Sequence, residues 1–292
     1  MSAPSPAAGS PLPTSRREWT ALLDRLGVRP SKGLGQNFLY ERGIVQRMVR
    51  AAGIGREDLV LEIGPGLGIL TDELLIRAGA VTAIELDRRL AEHLRIAFGD
   101  RPNFALIEGN ALEIPTADVI PVDRDFMVAA NLPYAVASAV LRHLLEQPHR
   151  PRRLALMLQK EVAKRLVGTP PNLTILGVAS QFYAAARIAF DVPPTVFIPP
   201  PKVESSVVIL DVHPRPLLPE EDHRRFFQVV NAGFRQKRKQ VANSLAAELA
   251  LPKEEVNRWL TEAGIDPMRR AQTLSVAEWV MLTEQAPALV EG

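Results

Sequence analysis

An α/β fold built on a mostly parallel sheet, followed by a small all-helical domain, is what this chain predicts. Three observations lead there. Short apolar runs begin at Leu59, Val81 and Phe104, roughly 20 residues apart, as strands buried on both faces do. A glycine-rich turn, Gly64-Pro-Gly-Leu-Gly68, closes the first run and leads into an amphipathic segment carrying Leu70, Leu74 and Leu75. Beyond residue 213 the pattern becomes helical throughout. The resulting division is a disordered tail over residues 1–15, a sheet-containing domain over 16–213 and a helical domain over 214–292.

Glycines at alternate positions in a strand-to-helix turn let backbone approach a ligand, and the helix start offers free N–H groups and a positive dipole end. That suits a nucleotide-like cofactor. Dinucleotide folds place a third glycine at the sixth position of the motif, where this chain has Ile69. Glu62-Ile-Gly-Pro-Gly-Leu-Gly68 instead resembles the first motif of class I S-adenosylmethionine methyltransferases, a Rossmann-like fold. The run from Val81 carries Glu85, 21 residues after Gly64, an acid placed to accept both ribose hydroxyls of an adenosine ligand. The run from Phe104 leads to Asn110, beside the expected adenine. Gly64 and Gly66 complete that wall.

A fourth strand, 126–130, ends in Asn131-Leu-Pro-Tyr134. Ligands of open α/β sheets bind beyond the strands' carboxyl ends. An amino group on a planar base is a poor nucleophile because its lone pair is delocalised into the ring. The Asn131 side-chain carbonyl and the Leu132 backbone carbonyl can accept its two hydrogens, Pro133 stiffens the turn, and Tyr134 offers a stacking face. No strong general base is needed if the proton leaves after methyl transfer. An ordinary strand-ending turn is the plainer reading of the same tetrapeptide.

Composition bounds the rest. The 292 residues are 47% hydrophobic, ample for a core. The net charge of +2 does not by itself announce a nucleic-acid binder, so any such role rests on local clustering. The absence of cysteine excludes disulfides, thiolate–metal sites and a Cys nucleophile. Five scattered histidines form no i, i+4 pair, so no metal is expected. No apolar run approaches a membrane span and no targeting signal opens the chain, so a cytoplasmic monomer is the default expectation.

The flanking elements follow in order. Residues 1–15 are mostly Pro, Ser and Ala. Trp19, Leu22, Leu23 and Leu26 give a helix that stops at Gly27. The loop 32–39 carries two amides, Gln36 and Asn37. It reads as a linker, the alternative being a flap over the cofactor that uses Asn37 and the Leu39 backbone. Ile44, Val45, Met48 and Val49 begin another helix. Prolines at 193, 194, 199, 200 and 201 fix an irregular loop presenting Phe197, either to a target base or to the core, with Lys202 placed for a phosphate. The β-like run 203–210 is expected at a sheet edge or in a hairpin. Helices are expected at 220–233, 237–249, 253–263 and 275–285, the last opened by a Ser275–Glu278 capping box. Arg235, Lys237, Arg238 and Lys239 place four cations in five residues. With Arg269 and Arg270 they form either a solvated face or a phosphate-contacting patch.

Together these residues resemble the ribosomal RNA adenine N6-dimethyltransferase family. The likeness runs from Trp19 to Trp279. It rests on Gly35-Gln-Asn-Phe-Leu39, the Glu62–Gly68 motif, Glu85-Leu-Asp87, Asn131-Leu-Pro-Tyr134, Phe197-Ile-Pro-Pro-Pro-Lys-Val203, the basic segment at 234–245 and Arg270-Ala-Gln-Thr-Leu-Ser275. The resemblance implies dimethylation at N6 of two adjacent adenosines near the 3′ end of 16S rRNA in the small ribosomal subunit. It implies a cofactor site lined by Asn37, Leu39, Gly64, Glu85, Asn110 and Asn131, with Tyr134 and Phe197 flanking the base. The chain departs from the family pattern at Asn110, usually Asp, at Ala135, usually Asn, and at Leu173-Thr174, usually Tyr-Gly. Two other functions compete: a large-subunit rRNA adenine methyltransferase of the macrolide-resistance type, and a non-catalytic assembly or transcription-type factor.

Overall fold

Strands made of unbroken apolar residues need cover on both faces, and the order of elements supplies it. The computed structural model describes residues 10–30, 36–133 and 135–288. In chain order these form α1 (Arg16–Arg25), β1 (Phe38–Leu39), α2 (Arg42–Ala52), β2 (Leu59–Ile63), α3 (Ile69–Arg77), β3 (Ala80–Glu85) and α4 (Arg88–Phe98). Next come β4 (Phe104–Glu108), α5 (Thr116–Val119), β5 (Phe126–Asn131), α6 (Ala137–Glu146), β6 (Arg153–Gln159), α7 (Lys160–Leu166) and α8 (Ile175–Tyr183). The remainder is β7 (Ala184–Val192), β8 (Phe197–Ile198), β9 (Ser205–Val212), α9 (Glu220–Phe234), α10 (Val241–Leu249), α11 (Lys253–Glu262) and α12 (Val276–Glu284).

The main sheet has the order β4-β3-β2-β5-β6-β9-β7, and the four pairings among its first five strands are parallel. From β2 the chain steps outward to β3 and β4, then returns to place β5 on the other side of β2. That reversal opens a crevice at the tips of β2 and β5. β5 shows why its residues are apolar: Phe126 through Ala130 are all at 0% exposure. The α4 helix buries Leu90, Ala91, Leu94 and Phe98, one face at helical spacing.

By internal packing the chain forms two compact units, Met1–Lys160 with Ile188–Leu210, and Glu161–Arg187 with Asp211–Gly292. The second unit thus takes in α7 and α8, which lie before the expected division at residue 213. Its core stacks Phe182 on Phe226 at 4.2 Å and sets Phe234 against Trp279 at 5.6 Å.

Three expectations need correction. Residues 10–15 are not a loose tail: Leu12 is buried and Ser15 caps α1 in a capping box with Glu18. Of the two places expected for β9, the sheet edge is not the one found: β9 lies between β6 and β7, beside the main-sheet strand that precedes it in the chain, and β7 takes the edge. Residues 237–240 are not helical, because α10 starts only at Val241, whose N–H donates to the Arg269 carbonyl. The helices are otherwise found within a few residues of their expected ends, including the Ser275–Glu278 capping box.

The three motif glycines have different reasons to be glycine. Gly64 has φ +64° with open space where a Cβ would stand. Gly68 has φ +86°, and a Cβ there would lie 2.6 Å from Phe98 and 3.0 Å from Leu94. Its close approach is to α4, not to a ligand. Gly68→Ala therefore adds overpacking to the backbone strain it shares with Gly64→Ala. Urea unfolding is expected to show Gly68→Ala the less stable of the two by about 1–3 kcal/mol.

Candidate active site

A cavity opens at the β2–β5 switch point, and all its walls come from the first unit. The floor is the β2–α3 turn, Gly64 to Leu67, with the tips of β3 and β5 on either side. Of the cofactor residues expected from the sequence, Gln36, Asn37, Leu39, Gly64, Gly66, Glu85 and Asn131 line it. Of the catalytic ones, Asn131, Leu132, Pro133 and Phe197 do. Tyr134 lies outside the described residues. Asn110 is not part of the wall: its carbonyl accepts the Leu112 N–H at 3.1 Å and its amide donates to Glu113 at 2.8 Å.

Two short strands explain how the Gln36–Leu39 stretch reaches the cavity. β1 pairs antiparallel with β8, setting Leu39 opposite Phe197 and Phe38 opposite Ile198. The Tyr40 N–H extends the pairing to the Val196 carbonyl at 3.1 Å, and the Tyr40 hydroxyl donates to Thr195 at 2.9 Å. The stretch expected as a linker is therefore a wall clipped to the proline-rich loop. Phe197, at 1% exposure, is at once a core side chain and part of the cavity lining.

Glu85 orders the turn. Its Oε2 accepts the Gly66 N–H at 3.0 Å and its Oε1 the Asp87 N–H at 2.9 Å. Burial pushes its carboxyl above the ordinary value, and these N–H donors offset part of the rise. Across the turn, Glu62 is 1% exposed and lines the same cavity, and its Oε2 has no hydrogen-bond partner among the described residues. Burial pushes its carboxyl up to about 8, and the neighbouring Glu85 adds to the shift. Thr71 offsets only part of it, its hydroxyl making no hydrogen bond of ordinary geometry. Glu62 opens the glycine motif in the sequence but is not among the site residues expected from it. The missed signal was a charged residue inside a strand otherwise built for burial.

At the tip of β5, neither the Asn131 side chain nor the Leu132 carbonyl is engaged in a hydrogen bond among the described residues. Below them, Met48, Leu70 and Met157 give the cavity an apolar back. The chemistry on offer is thus two amide-type acceptors beside a buried acidic turn, with no metal-binding cluster of three or more His, Asp or Glu among the described residues.

The expected RNA-contacting residues fall in two places. Lys202 is exposed in the loop before β9, in the first unit. Arg235, Lys237, Arg238 and Lys239 are exposed in the turn between α9 and α10, with Glu248 3.9 Å from Arg235. Arg269 does not join them as a free cation: it is paired with Glu278 at the start of α12 and bonds Thr273. Arg270 is exposed. Among the departures, Leu173 is buried and Thr174 caps α8 by accepting the Gly177 N–H at 3.0 Å. No helix among the described residues is long and apolar enough to cross a membrane.

Known proteins of similar sequence and structure fit this geometry. The family model described as ribosomal RNA adenine dimethylase matches residues 29–286. The protein named ribosomal RNA small subunit methyltransferase A from Dehalococcoides mccartyi strain 195 is 37% identical over 97% of each chain. Its namesake in Magnetococcus marinus is 42% identical over 89% of this chain and 93% of its own. Among solved structures, the 23S rRNA methyltransferase ErmE superposes with a TM-score of 0.69 at 28% identity, covering 85% of this chain and 99% of that one. A dimethyladenosine transferase from Plasmodium falciparum gives 0.72 at 25% identity, covering 84% and 95%. On the extent of the family match and the identity to relatives over nearly their whole length, the chain belongs to the ribosomal RNA adenine dimethylase family.

Proposed function

We propose that this enzyme transfers methyl groups from S-adenosylmethionine to N6 of two adjacent adenosines near the 3′ end of 16S rRNA, in the small ribosomal subunit. The observation that carries the reading is the Asn131–Pro133 tip, set on the wall of the glycine-turn cavity in a chain whose relatives bear the name small subunit methyltransferase. A cytoplasmic monomer is the default form in this reading.

The cavity's residues fit the cofactor. Glu62, buried with Oε2 unpartnered, would be drawn toward its charged form by a ligand that carries positive charge, and Glu85 keeps lone pairs free for the ribose hydroxyls. Asn37 and the Leu39 backbone would hold the amino-acid end. The enclosed volume, about 80 Å³, is below the roughly 300 Å³ of a typical small-ligand site. The adenine end would therefore lie outside it, where Asn110 would meet it through the second lone pair of the side-chain carbonyl that already accepts the Leu112 N–H.

When bound, the cofactor supplies an electrophilic methyl group; the chain supplies alignment. The Asn131 side-chain carbonyl and the Leu132 carbonyl accept the two N6 hydrogens and localise the nitrogen lone pair toward the methyl. Pro133 fixes the spacing of those acceptors, and Phe197 and Tyr134 would hold the base plane between them. The apolar back formed by Met48, Leu70 and Met157 limits the water that competes for those acceptors. Arg235, Lys237, Arg238, Lys239 and Lys202 would neutralise phosphates of the particle, which gives residues 214–292 their place in the reading.

Methyl transfer from labelled cofactor to small subunits lacking the modification should label N6-dimethyladenosine, and large subunits should stay unlabelled. Label on the large subunit instead would favour the kind of target named for ErmE. Asn131→Ala should lower the transfer rate about 100-fold or more while small-subunit binding stays within twofold. Neutralising Arg235, Lys237, Arg238 and Lys239 together should flatten the salt dependence of binding by about 0.7–0.9 per cation removed. Glu62 gives a separate readout on the cofactor-free protein. Between pH 4.5 and about 8 the folded chain keeps a proton that the unfolded chain has released, so stability falls as pH rises across that window. Glu62→Gln should flatten this slope in chemical unfolding curves.

A further inference from the structure

We infer that the helical unit carries a second RNA site, a pocket that takes the base of one unpaired nucleotide while its phosphate sits on the α9–α10 turn. The inference rests on the reading that RNA is the substrate and adds a point of recognition remote in sequence from the methyl-transfer tip. The pocket is a cavity of about 660 Å³, all of it within the second unit. That is within the roughly 300–1,000 Å³ of small-ligand sites.

Its lining is chemically uneven in a way that suits a nucleotide. Arg165, Arg235 and Lys237 are the charged residues of the wall, and no acid is among them, so the pocket favours an anion. Arg165 and Arg235 are only loosely held, by Glu161 at 3.6 Å and Glu248 at 3.9 Å. Lys237 has no ion pair among the described residues. Three carboxamides, Asn172, Asn231 and Gln272, each offer a donor and an acceptor, the combination needed to read a base edge. Leu173, Leu176 and Phe234 supply an apolar face on which a flat ring can lie. A bare phosphate has no use for that face or for the amides, and an apolar peptide has no use for the cations.

The frame is preorganised. The Leu173 N–H donates to the Gln272 carbonyl at 3.1 Å, tying two walls of the pocket together. Beneath the α9–α10 turn, Ser244 Oγ donates to the Ala232 carbonyl at 2.6 Å and accepts the Gln236 N–H at 3.2 Å. The Arg235 and Lys237 backbone positions are thereby set on either side of a fixed residue. Arg238 and Lys239 continue the basic run in the same turn, so the RNA backbone has a track leading away from the pocket.

The test uses full-length protein and small ribosomal subunits lacking the modification, with equilibrium binding measured over a salt series. Ile175, 40% exposed on the pocket rim, can be enlarged without disturbing a core. Ile175→Trp should weaken binding about tenfold at every salt concentration without changing the slope of log K against log salt. Lys237→Ala should instead reduce that slope by about 0.7–0.9. Photocrosslinking of the wild-type complex should yield a nucleotide adduct on a peptide containing Phe234 or Leu173–Leu176. If circular dichroism shows Ile175→Trp unfolded, Asn231→Leu decides by the same slope criterion. Affinity within twofold of wild type in the folded variant, or crosslinks confined to residues 235–239 or to a ribosomal protein, would overturn the pocket. Wild-type methyl transfer, run in parallel, separates the readings: binding without transfer counts against the proposed reaction, and transfer with an unaffected Ile175→Trp counts against the pocket alone.

Discussion

The hydrogen bond from the Gly66 N–H to the Glu85 carboxylate is the contact on which the catalytic end depends. It joins the turn after β2 to the tip of β3, so the floor of the cavity and its acidic side wall are set by one interaction. A left-handed backbone at Gly66, φ +61°, aims that N–H at the carboxylate, and the Phe38 ring, 3.4 Å from where a Cβ would stand, covers the turn from above. Phe38 in turn belongs to the β1–β8 pair that brings Leu39 and Phe197 into the wall. Turn, acid and flap are thus one packed assembly. Its position at the sheet's switch point places it beside Asn131, because β5 is the strand that pairs with β2.

How legible this was depended on the range of the interactions involved. The β2–α3 turn, Glu85 and Asn131 were readable because each is a strand tip followed by a local signal: glycines, an acid or an Asn-Leu-Pro sequence. The β1–β8 pair was not readable. It joins two-residue strands nearly 160 residues apart, too short to show a period. The 237–240 stretch carries good helix formers, yet it is turn, since its backbone is committed through Val241 to Arg269 far along the chain. Arg269 looked like a free cation because the glutamate that holds it lies nine residues away, in the capping box of α12. Asn110 was correctly placed at a strand tip. Its side chain, however, closes a local turn with Leu112 and Glu113, as short amides at such positions commonly do.

A modest net charge of +2 conceals strong local segregation. Four acids of the first unit are drawn inward among the described residues: Asp72 is paired with Arg42 at 2.6 Å, Glu73 with Arg77 at 3.0 Å, and Glu62 and Glu85 line the cavity. The cations of the α9–α10 turn face solvent, Arg235 with Glu248 3.9 Å away and Lys237 with no ion pair among the described residues. Buried carboxyls thus line the cavity of the first unit, while the exposed basic turn lies in the second.

Burial also sets the proton affinity of the acids at the cavity. Burial raises the proton affinity of both cavity carboxyls, and Glu62, lacking a partner for Oε2, is raised further by the neighbouring Glu85. A ligand that brings positive charge into the cavity relieves the penalty, so cofactor affinity and the ionisation of Glu62 are linked. In the proposed reaction Asn131 and Leu132, which do not titrate, would be the groups facing the nucleophile. Proton chemistry would then fall to the binding of the cofactor, and the tip of β5 would contribute geometry alone, which an amide and a backbone carbonyl keep unchanged across the pH range in which the protein is folded.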